Sequence, residues 1–348
     1  MSDGSAFQAL PTERGYTTLS QHVRGQLGDD ASRAWRLSAA LDRIALAGKV
    51  IARCLSRASL VEGGLGVTGE NNVQGEAVKP MDTYANEAFI AAFRNSGLVS
   101  TIVSEEMAEP YELPENAAEG SYALALDPID GSSNLDVNLN VGTVFALYER
   151  PDGAIAQGLL QNGSHPLATG YVLYGASTML VCSWGDGVRR FSLEPSLGEF
   201  ILTAQGERIP ERGSLYSINE GNFRHWEAPL RDFIRHAHQA EDYSARYSGS
   251  LAADFHRILS QGGVFLYPGT HEQPAGKLRW LYEAAPLAFL VEQAGGCART
   301  GKARILDVVP EGLHARTPLV VGSPANVRQV ESFVRAPAQA SESAATTL

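Results

Sequence analysis

Apolar residues return every three to four positions in two early stretches of the chain. In "LSAALDRIALAGKVIARCL", Leu37, Leu41, Ile44, Ile51 and Leu55 fall on one helical face, and Ala85, Ala88, Phe89, Ala92 and Phe93 form a second stripe of the same period. Both segments are expected as helices that turn these residues toward a core. The texture then changes. "VGTVFALY", "AIAQGLL", "YVLYGASTMLVCSW" and "VRRFSL" are short apolar runs split by the turn signals "PDG" and "GDG", which predicts a sheet of mostly neighbouring strands. Beyond them the two periods alternate. A strand in "LYSIN" is followed by a helix from Trp226 to His238, a helix in "SLAADFHRIL", a strand in "GVFLY", a helix from Leu281 to Ala294 and a strand in "PLVV". A last helix in "SPANVRQVESFV" is opened by Ser323 as N-cap and Pro324 at the first helical position.

This order is mixed α and β, without internal repeats, and a lobe boundary is expected between residues 200 and 213. At 348 residues, with 44% hydrophobic and 19% charged content, the chain fits a two-lobed, enzyme-sized unit. The end, "APAQASESAATTL" from Ala336 to Leu348, is small and polar, too poor in apolar surface to offset its ordering entropy, and is expected as a disordered tail. A formal net charge of -11 argues against a nucleic-acid or acidic-lipid partner, since those need a basic face. Cys54, Cys182 and Cys297 are scattered and form no CxxC, which suits free thiols in a reducing compartment. No apolar run approaches the roughly 20 residues of a membrane span, and "MSDGSAFQALPTERG" lacks the layout of a signal peptide. The cytoplasm is the expected location.

The chemistry concentrates in acids placed at the ends of elements. The apolar run "YALAL" leads into "DPIDGSSN", which puts Asp127 and Asp130 at the carboxyl end of a strand, the customary ligand position of open α/β sheets. Hard divalent cations take carboxylate and carbonyl oxygens, so Asp127, Asp130 and the carbonyl of Ile129 form a candidate ligand set. Gly131, Ser132 and Ser133 offer backbone amides that can cradle a phosphate. The alternative is an Asx-type turn whose acids cap their own backbone. The octapeptide alone leaves both open. Upstream, "TIVSEE" ends in Glu105 and Glu106, and "VQGEAVKPMD" supplies Glu76 and Asp82, the latter placed as an N-cap would be. Three acidic segments near element ends favour a multi-metal site over three unrelated turns.

The strings "DPIDGSSNLDVNLNVGTVFALY", "SEE" and "GKLRWLYEAAPLAFLVEQAGG" together resemble class I fructose-1,6-bisphosphatase, over residues 30 to 335. The DPxDG core alone is shared with inositol monophosphatases and other lithium-sensitive phosphatases; the second half of the chain selects the bisphosphatase. The resemblance implies an α/β, two-lobed sugar-phosphatase fold of stacked α-β-α-β-α layers. It divides the chain into an N-terminal arm at 1–30, a lobe carrying metal ligands at 31–205, a sugar-phosphate lobe at 206–335 and the tail at 336–348.

By the same resemblance, Glu105, Glu106, Asp127, Ile129 (through its carbonyl), Asp130 and Glu283 are metal ligands for two or three Mg²⁺ per subunit, with Mn²⁺ as a substitute. Asp82, Glu106 and Glu76 are implied to polarise the attacking water; the family usually has aspartate where Glu76 stands. Substrate contacts fall on Gly131, Ser132, Ser133, Asn219, Arg246, Tyr247, Tyr267, Lys277 and Arg279, with Arg246 reaching a neighbouring subunit of a homotetramer. Asn222 replaces a tyrosine often found three residues after the asparagine, which removes one phenol hydroxyl from the phosphate pocket.

The implied reaction is metal-assisted hydrolysis of the 1-phosphate of fructose 1,6-bisphosphate, in gluconeogenesis or the Calvin cycle. A nucleophilic serine is not expected, because no histidine accompanies Ser132 or Ser133 in these motifs. Sedoheptulose 1,7-bisphosphate is the alternative substrate, and the motifs do not separate the two. An inactive sugar-phosphate-binding regulator would be expected to lack some of the metal acids, and none is missing. Control by AMP is expected to be weak. "QLGDDASRAW" lacks the family's "GTGEL"-like turn, Ser121-Tyr122 keeps only the tyrosine of a lysine-tyrosine pair, and Glu149 stands where an arginine is usual. No cysteine-rich insertion provides a thiol switch.

Overall fold

The computed structural model describes residues 15–28, 30–60, 79–113, 115, 122–150, 158–161 and 165–335. Three helices come first: α1 (Leu19–Gln26), α2 (Ala31–Leu55) and α3 (Pro80–Phe93). Thr18 and Gln21 close a reciprocal capping box at the start of α1, and Asp30 accepts from the Arg33 N–H at the start of α2. The two predicted apolar stripes bury Leu37, Leu41, Ile44 and Ile51 on α2 and Ala85, Phe89, Ala92 and Phe93 on α3.

These helices cover one face of an eight-stranded sheet ordered β2-β1-β3-β4-β5-β6-β7-β8. Its strands are β1 (Val99–Ser104), β2 (Tyr111–Glu112), β3 (Tyr122–Asp130), β4 (Val141–Glu149), β5 (Ala168–Tyr174), β6 (Thr178–Ser183), β7 (Val188–Glu194) and β8 (Glu199–Glu207). Only β1 and β3 run parallel; every other pair is antiparallel. All nine residues of β3 are buried, as expected for a strand covered on both faces.

The opposite face of this sheet packs on α5 (Leu251–Gln261) and α6 (Ala285–Gln293), and these helices in turn pack on a second sheet. That sheet is ordered β10-β9-β11-β13-β12, with β9 (Leu215–Ser217), β10 (Ser244–Ala245), β11 (Val264–Tyr267), β12 (Cys297–Arg299) and β13 (Leu319–Gly322). Its far face carries α4 (Ala228–Gln239) and α7 (Pro324–Arg335) around Trp226, Phe233 and Val327. The layers therefore run α-β-α-β-α, the stacking that the resemblance implied.

Several local expectations differ. Of "AIAQGLL", residues 154–157 lie outside the described residues, and Gly158 and Leu159 are helical, not extended. β8 was not anticipated, because it is an edge strand with mostly exposed or half-buried residues and lacks a clean alternation. The two-residue β10 and three-residue β12 are too short to leave a period. Glu76 and the tail at 336–348 lie outside the described residues.

Candidate active site

Strand register brings the first two acids together. β1 and β3 are parallel with Ser104 opposite Leu126, so the residues that follow, Glu105 and Asp127, emerge side by side at the same edge. The Glu105 N–H donates to the Leu126 carbonyl at 3.1 Å, which fixes that edge where β1 ends. A register irregularity against β4 lies between Asp127 and Asp130, and the Ile129 N–H donates to Asp127 Oδ1 at 3.1 Å.

Glu283 arrives from the distant strand-helix segment. Residues Trp280–Ala284 form a single π-helical turn, with the Ala284 N–H on the Arg279 carbonyl and the Ala285 N–H on that of Trp280. Wide turns of this kind recur at functional sites. Glu105, Asp127 and Glu283, all buried, place carboxylate oxygens within 4.8 Å of one another.

A cavity of about 570 Å³ opens over this cluster. It is lined by Asp82, Glu105, Glu106, Asp127, Ile129, Asp130, Gly131, Ser132, Ser133, Tyr247, Tyr267, Lys277, Arg279 and Glu283 from the sequence-derived set. Asn219 and Arg246 are not in its wall. Asn219 is exposed, caps the 3₁₀ turn Glu220–His225 by accepting from the Gly221 N–H at 3.1 Å, and hydrogen-bonds the Tyr247 hydroxyl. Arg246 is exposed beyond β10 and donates to the Ala245 carbonyl.

Asp82 stands differently from its sequence reading, and Asp130 makes contacts that the sequence did not announce. Asp82 is not the N-cap of α3 but its third residue, reaching back so that Oδ2 accepts from the Lys79 N–H at 3.0 Å. Asp130 lies outside the three-acid cluster and turns toward the start of α5. Its carboxylate accepts from the Ser250 hydroxyl at 2.6 Å, the Leu251 N–H at 3.0 Å and the Ala252 N–H at 2.8 Å. Gly131 makes this approach feasible. It has φ of 75°, and a Cβ there would stand 2.8 Å from Ser250 Cβ. Beyond Gly131, a 3₁₀ turn (Ser132–Val137) carries Ser132 and Ser133 along the cavity.

The electrostatics call for positive charge. Among the described residues, seven carboxylates line the cavity (Asp82, Glu105, Glu106, Asp127, Asp130, Asp136, Glu283) against Lys79, Lys277 and Arg279, a formal excess of four negative charges. Burial, reinforced by Glu105, Glu283 and the other acids, holds the Asp127 carboxyl well above the usual carboxylate range. Burial also lifts Asp130, to about 6, although its three hydrogen bonds pull the other way. Arg279 pairs with Glu105 at 2.7 Å and lies 4.0 Å from Glu283, so a guanidinium stands where a cation is wanted. An all-oxygen donor set, with no histidine or cysteine among the described lining residues, fits a hard divalent cation.

Lys79, Asp136, Ser250 and Leu251 also line the cavity and were not singled out from sequence. Ser250 was legible in principle as the N-cap of α5, whose side chain accepts from the Ala253 N–H at 3.3 Å. A lone lysine ahead of Pro80 carries no such signal.

Comparison with known proteins adds the following. Residues 17–205 match the family model described as Fructose-1-6-bisphosphatase, N-terminal domain, and residues 209–335 match the one for the C-terminal domain. The chain is 59% identical over 343 residues to "Fructose-1,6-bisphosphatase class 1" of Thermosynechococcus vestitus, covering 97% of this chain and 98% of the relative. It is 58% identical over 326 residues to the protein of the same description from Synechocystis sp., covering 92% and 94%. Among solved structures, Leishmania major fructose-1,6-bisphosphatase in holo form superposes with a TM-score of 0.85 at 35% identity, over 92% of this chain and 99% of that one. The T-state structure of the same enzyme gives 0.81 at 34% identity, over 92% and 100%.

Proposed function

The chain belongs to the fructose-1,6-bisphosphatase family of phosphoric monoester hydrolases, and on that premise we propose that it removes the 1-phosphate of fructose 1,6-bisphosphate in gluconeogenesis or the Calvin cycle. The observation that carries this reading is the convergence of Glu105, Asp127 and Glu283 in one cavity with the Gly131–Ser133 turn. Glu105, Glu106, Asp127, Asp130, Glu283 and the Ile129 carbonyl would hold two or three Mg²⁺, or Mn²⁺. When bound, such ions neutralise the phosphoryl oxygens and the developing alkoxide.

The protein groups divide the remaining work. Asp82 and Glu106 face the cavity and accept the proton of the attacking water; Glu76, assigned the same role, lies outside the described residues. The turn from Gly131 to Ser133 presents backbone amides and hydroxyls to the phosphate. Lys277, Tyr247 and Tyr267 hold the sugar and its distal phosphate, Lys277 as a point charge. Arg279, also in the cavity wall, would serve the sugar phosphate alongside Lys277 as a fork donor. A phosphate-release assay on fructose 1,6-bisphosphate and sedoheptulose 1,7-bisphosphate, with Mg²⁺ and then with excess chelator, tests the reading. Turnover of fructose 1,6-bisphosphate that survives chelation would overturn the metal assignment, and no turnover at all would overturn the function.

Arg246, exposed and outside the cavity wall, is assigned to a neighbouring subunit's site in a homotetramer. Light scattering should give a mass of four chains, and a monomer with unimpaired KM would contradict the assignment. No helix among the described residues is long and apolar enough to cross a membrane.

AMP should bind at least about a hundredfold more weakly than it does in sensitive relatives, from the loss of charge-assisted hydrogen bonds worth about 1.5 to 3 kcal/mol each. Glu149 lies directly across from Tyr122 on β4 and β3. Arg33 and Arg36 of α2 also act on Tyr122, which sequence reading did not foresee, but Glu149 and Asp30 oppose them with equal charge. Inhibition by micromolar AMP at saturating Mg²⁺ would show that the arginines outweigh the acids.

A further inference from the structure

Lys79 immediately precedes α3 and reaches both sides of the cavity. Its backbone N–H donates to Asp82 Oδ2 at 3.0 Å, while its Nζ lies 2.6 Å from Asp136 Oδ2. Asp82 belongs to the first turn of α3; Asp136 belongs to the 3₁₀ turn that also carries Ser132 and Ser133. One residue thus bridges the group that accepts a proton and the turn that cradles phosphate.

The burial of this pair is lopsided. The Lys79 side chain is 8% exposed and that of Asp136 is 50% exposed. An ammonium withdrawn from water persists only where a counter-charge and hydrogen bonds offset its lost hydration. Asp136 provides that counter-charge while keeping much of its own hydration, so it is an anchor and not a second buried ion. The Lys79 ammonium is already compensated by Asp136, which favours a mechanical role over direct capture of substrate.

We propose that Lys79 is a positioning residue: its ion pair with Asp136 and its N–H bond to Asp82 hold α3 and the Gly131–Ser133 turn in fixed relation, so that water activation and phosphate binding address the same phosphoryl group. The proposal rests on the bisphosphatase reading of the cavity. Because the sugar and its distal phosphate are held by other residues, the loss of this clamp acts on the chemical step more than on binding.

The test compares Lys79→Met, Lys79→Arg, Asp136→Asn and the double variant Lys79→Met/Asp136→Asn, following turnover, KM and inhibition by inorganic phosphate. Misplacement of reacting groups by about an ångström lowers rates about a hundredfold, so Lys79→Met and Asp136→Asn should each lose about ten- to a hundredfold in kcat. KM should stay within about threefold of wild type, since the contacts to the sugar and its distal phosphate are untouched. The double variant should be no slower than the worse single one, the mark of two residues acting through one contact. Lys79→Arg should recover most of kcat, because a guanidinium can still pair with the carboxylate. Effects that multiply in the double variant would overturn the proposal. So would phosphate inhibition weakened in Lys79→Met but not in Asp136→Asn, which would place Lys79 on the substrate itself. Where Lys79→Met does not fold, Asp136→Asn at its half-exposed carboxylate carries the test alone, and unchanged kcat there overturns the clamp. Wild-type turnover is measured first, so a chain that releases no phosphate refutes the functional reading before any variant is compared.

Discussion

Asp127→Asn abolishes turnover and makes the metal-free protein more stable at alkaline pH. Both effects follow from the same crowding of carboxylates. Asn keeps the oxygen that accepts from the Ile129 N–H at 3.1 Å, so the local turn survives, but the charge beside Glu105 and Glu283 is gone. Losing one carboxylate from the cluster proposed to hold the cations would remove several kcal/mol of transition-state stabilisation, which is about a thousandfold or more in kcat. Calorimetry with Mn²⁺ should show the binding lost alongside the activity.

The stability effect has the opposite sign. Burial and like charge raise the Asp127 pKa in the folded state, and burial raises that of Asp130 to about 6, above the roughly 3.9 of an unfolded aspartate. At these two carboxyls the native state therefore binds more protons than the unfolded one, and their contribution to stability falls as pH rises from about 4 through those folded values. In chelator, the wild-type protein should lose this contribution between pH 5 and pH 8, against an opposite trend from His22 and His256, whose burial lowers their pKa, to about 4 for His256. In Asp127→Asn the drop should be shallower, and the variant should be the more stable of the two at pH 8. An equally steep drop in both proteins would show that the acids are already neutralised by Arg279.

Gly170→Ala destabilises the chain by about 3 kcal/mol or more, the upper end of the cost of forcing atoms into a filled core. Gly170 sits in β5, opposite Phe145 of β4 and Cys182 of β6. An added Cβ would stand 2.4 Å from the Val181 carbonyl oxygen, 2.7 Å from Phe145 Cζ and 2.8 Å from Cys182 Cβ. A side chain can rotate away, but the Val181 backbone is fixed by ladders on both sides. Phe145 is fully buried against the helices α1 to α3, so moving its ring disturbs that layer as well. Denaturant unfolding measures the loss. A midpoint within error of wild type would mean that the sheet absorbs the methyl group by local widening.

Legibility in the sequence followed local period and local chemistry. The apolar stripes of α2 and α3 and the run into Asp127 were plain because burial there repeats along a single element. The edge strand β8 was invisible because every side chain on it but Phe200 is exposed or half-buried. Glu105 and Asp127 could be suspected as strand-end acids, yet their adjacency depends on parallel register between β1 and β3, a long-range fact. Glu283 was reachable only through the long motif around it, since a glutamate in a helical segment has no distinguishing neighbours. The attachment of Asp130 to the start of α5 spans about 120 residues of sequence, and nothing in "DPIDG" announces it. Lys79 was missed for a related reason: its partner Asp136 is 57 positions away.

The π-helical turn at Trp280–Ala284 opens the helical segment that continues as α6, directly after the extended Arg279. Leu287, Leu290 and Val291 on α6 must face the core, and in a regular α-helix their azimuth would dictate where Glu283 points. The extra residue in the turn breaks that coupling, since each residue of an α-helix advances the heading by about 100°. Deleting Ala284, which lies between Glu283 and α6, would leave α6 packed and every acid present in the sequence, yet swing Glu283 away from Glu105 and Asp127. A relative carrying such a deletion would therefore retain every acid by residue type while lacking the cluster in space.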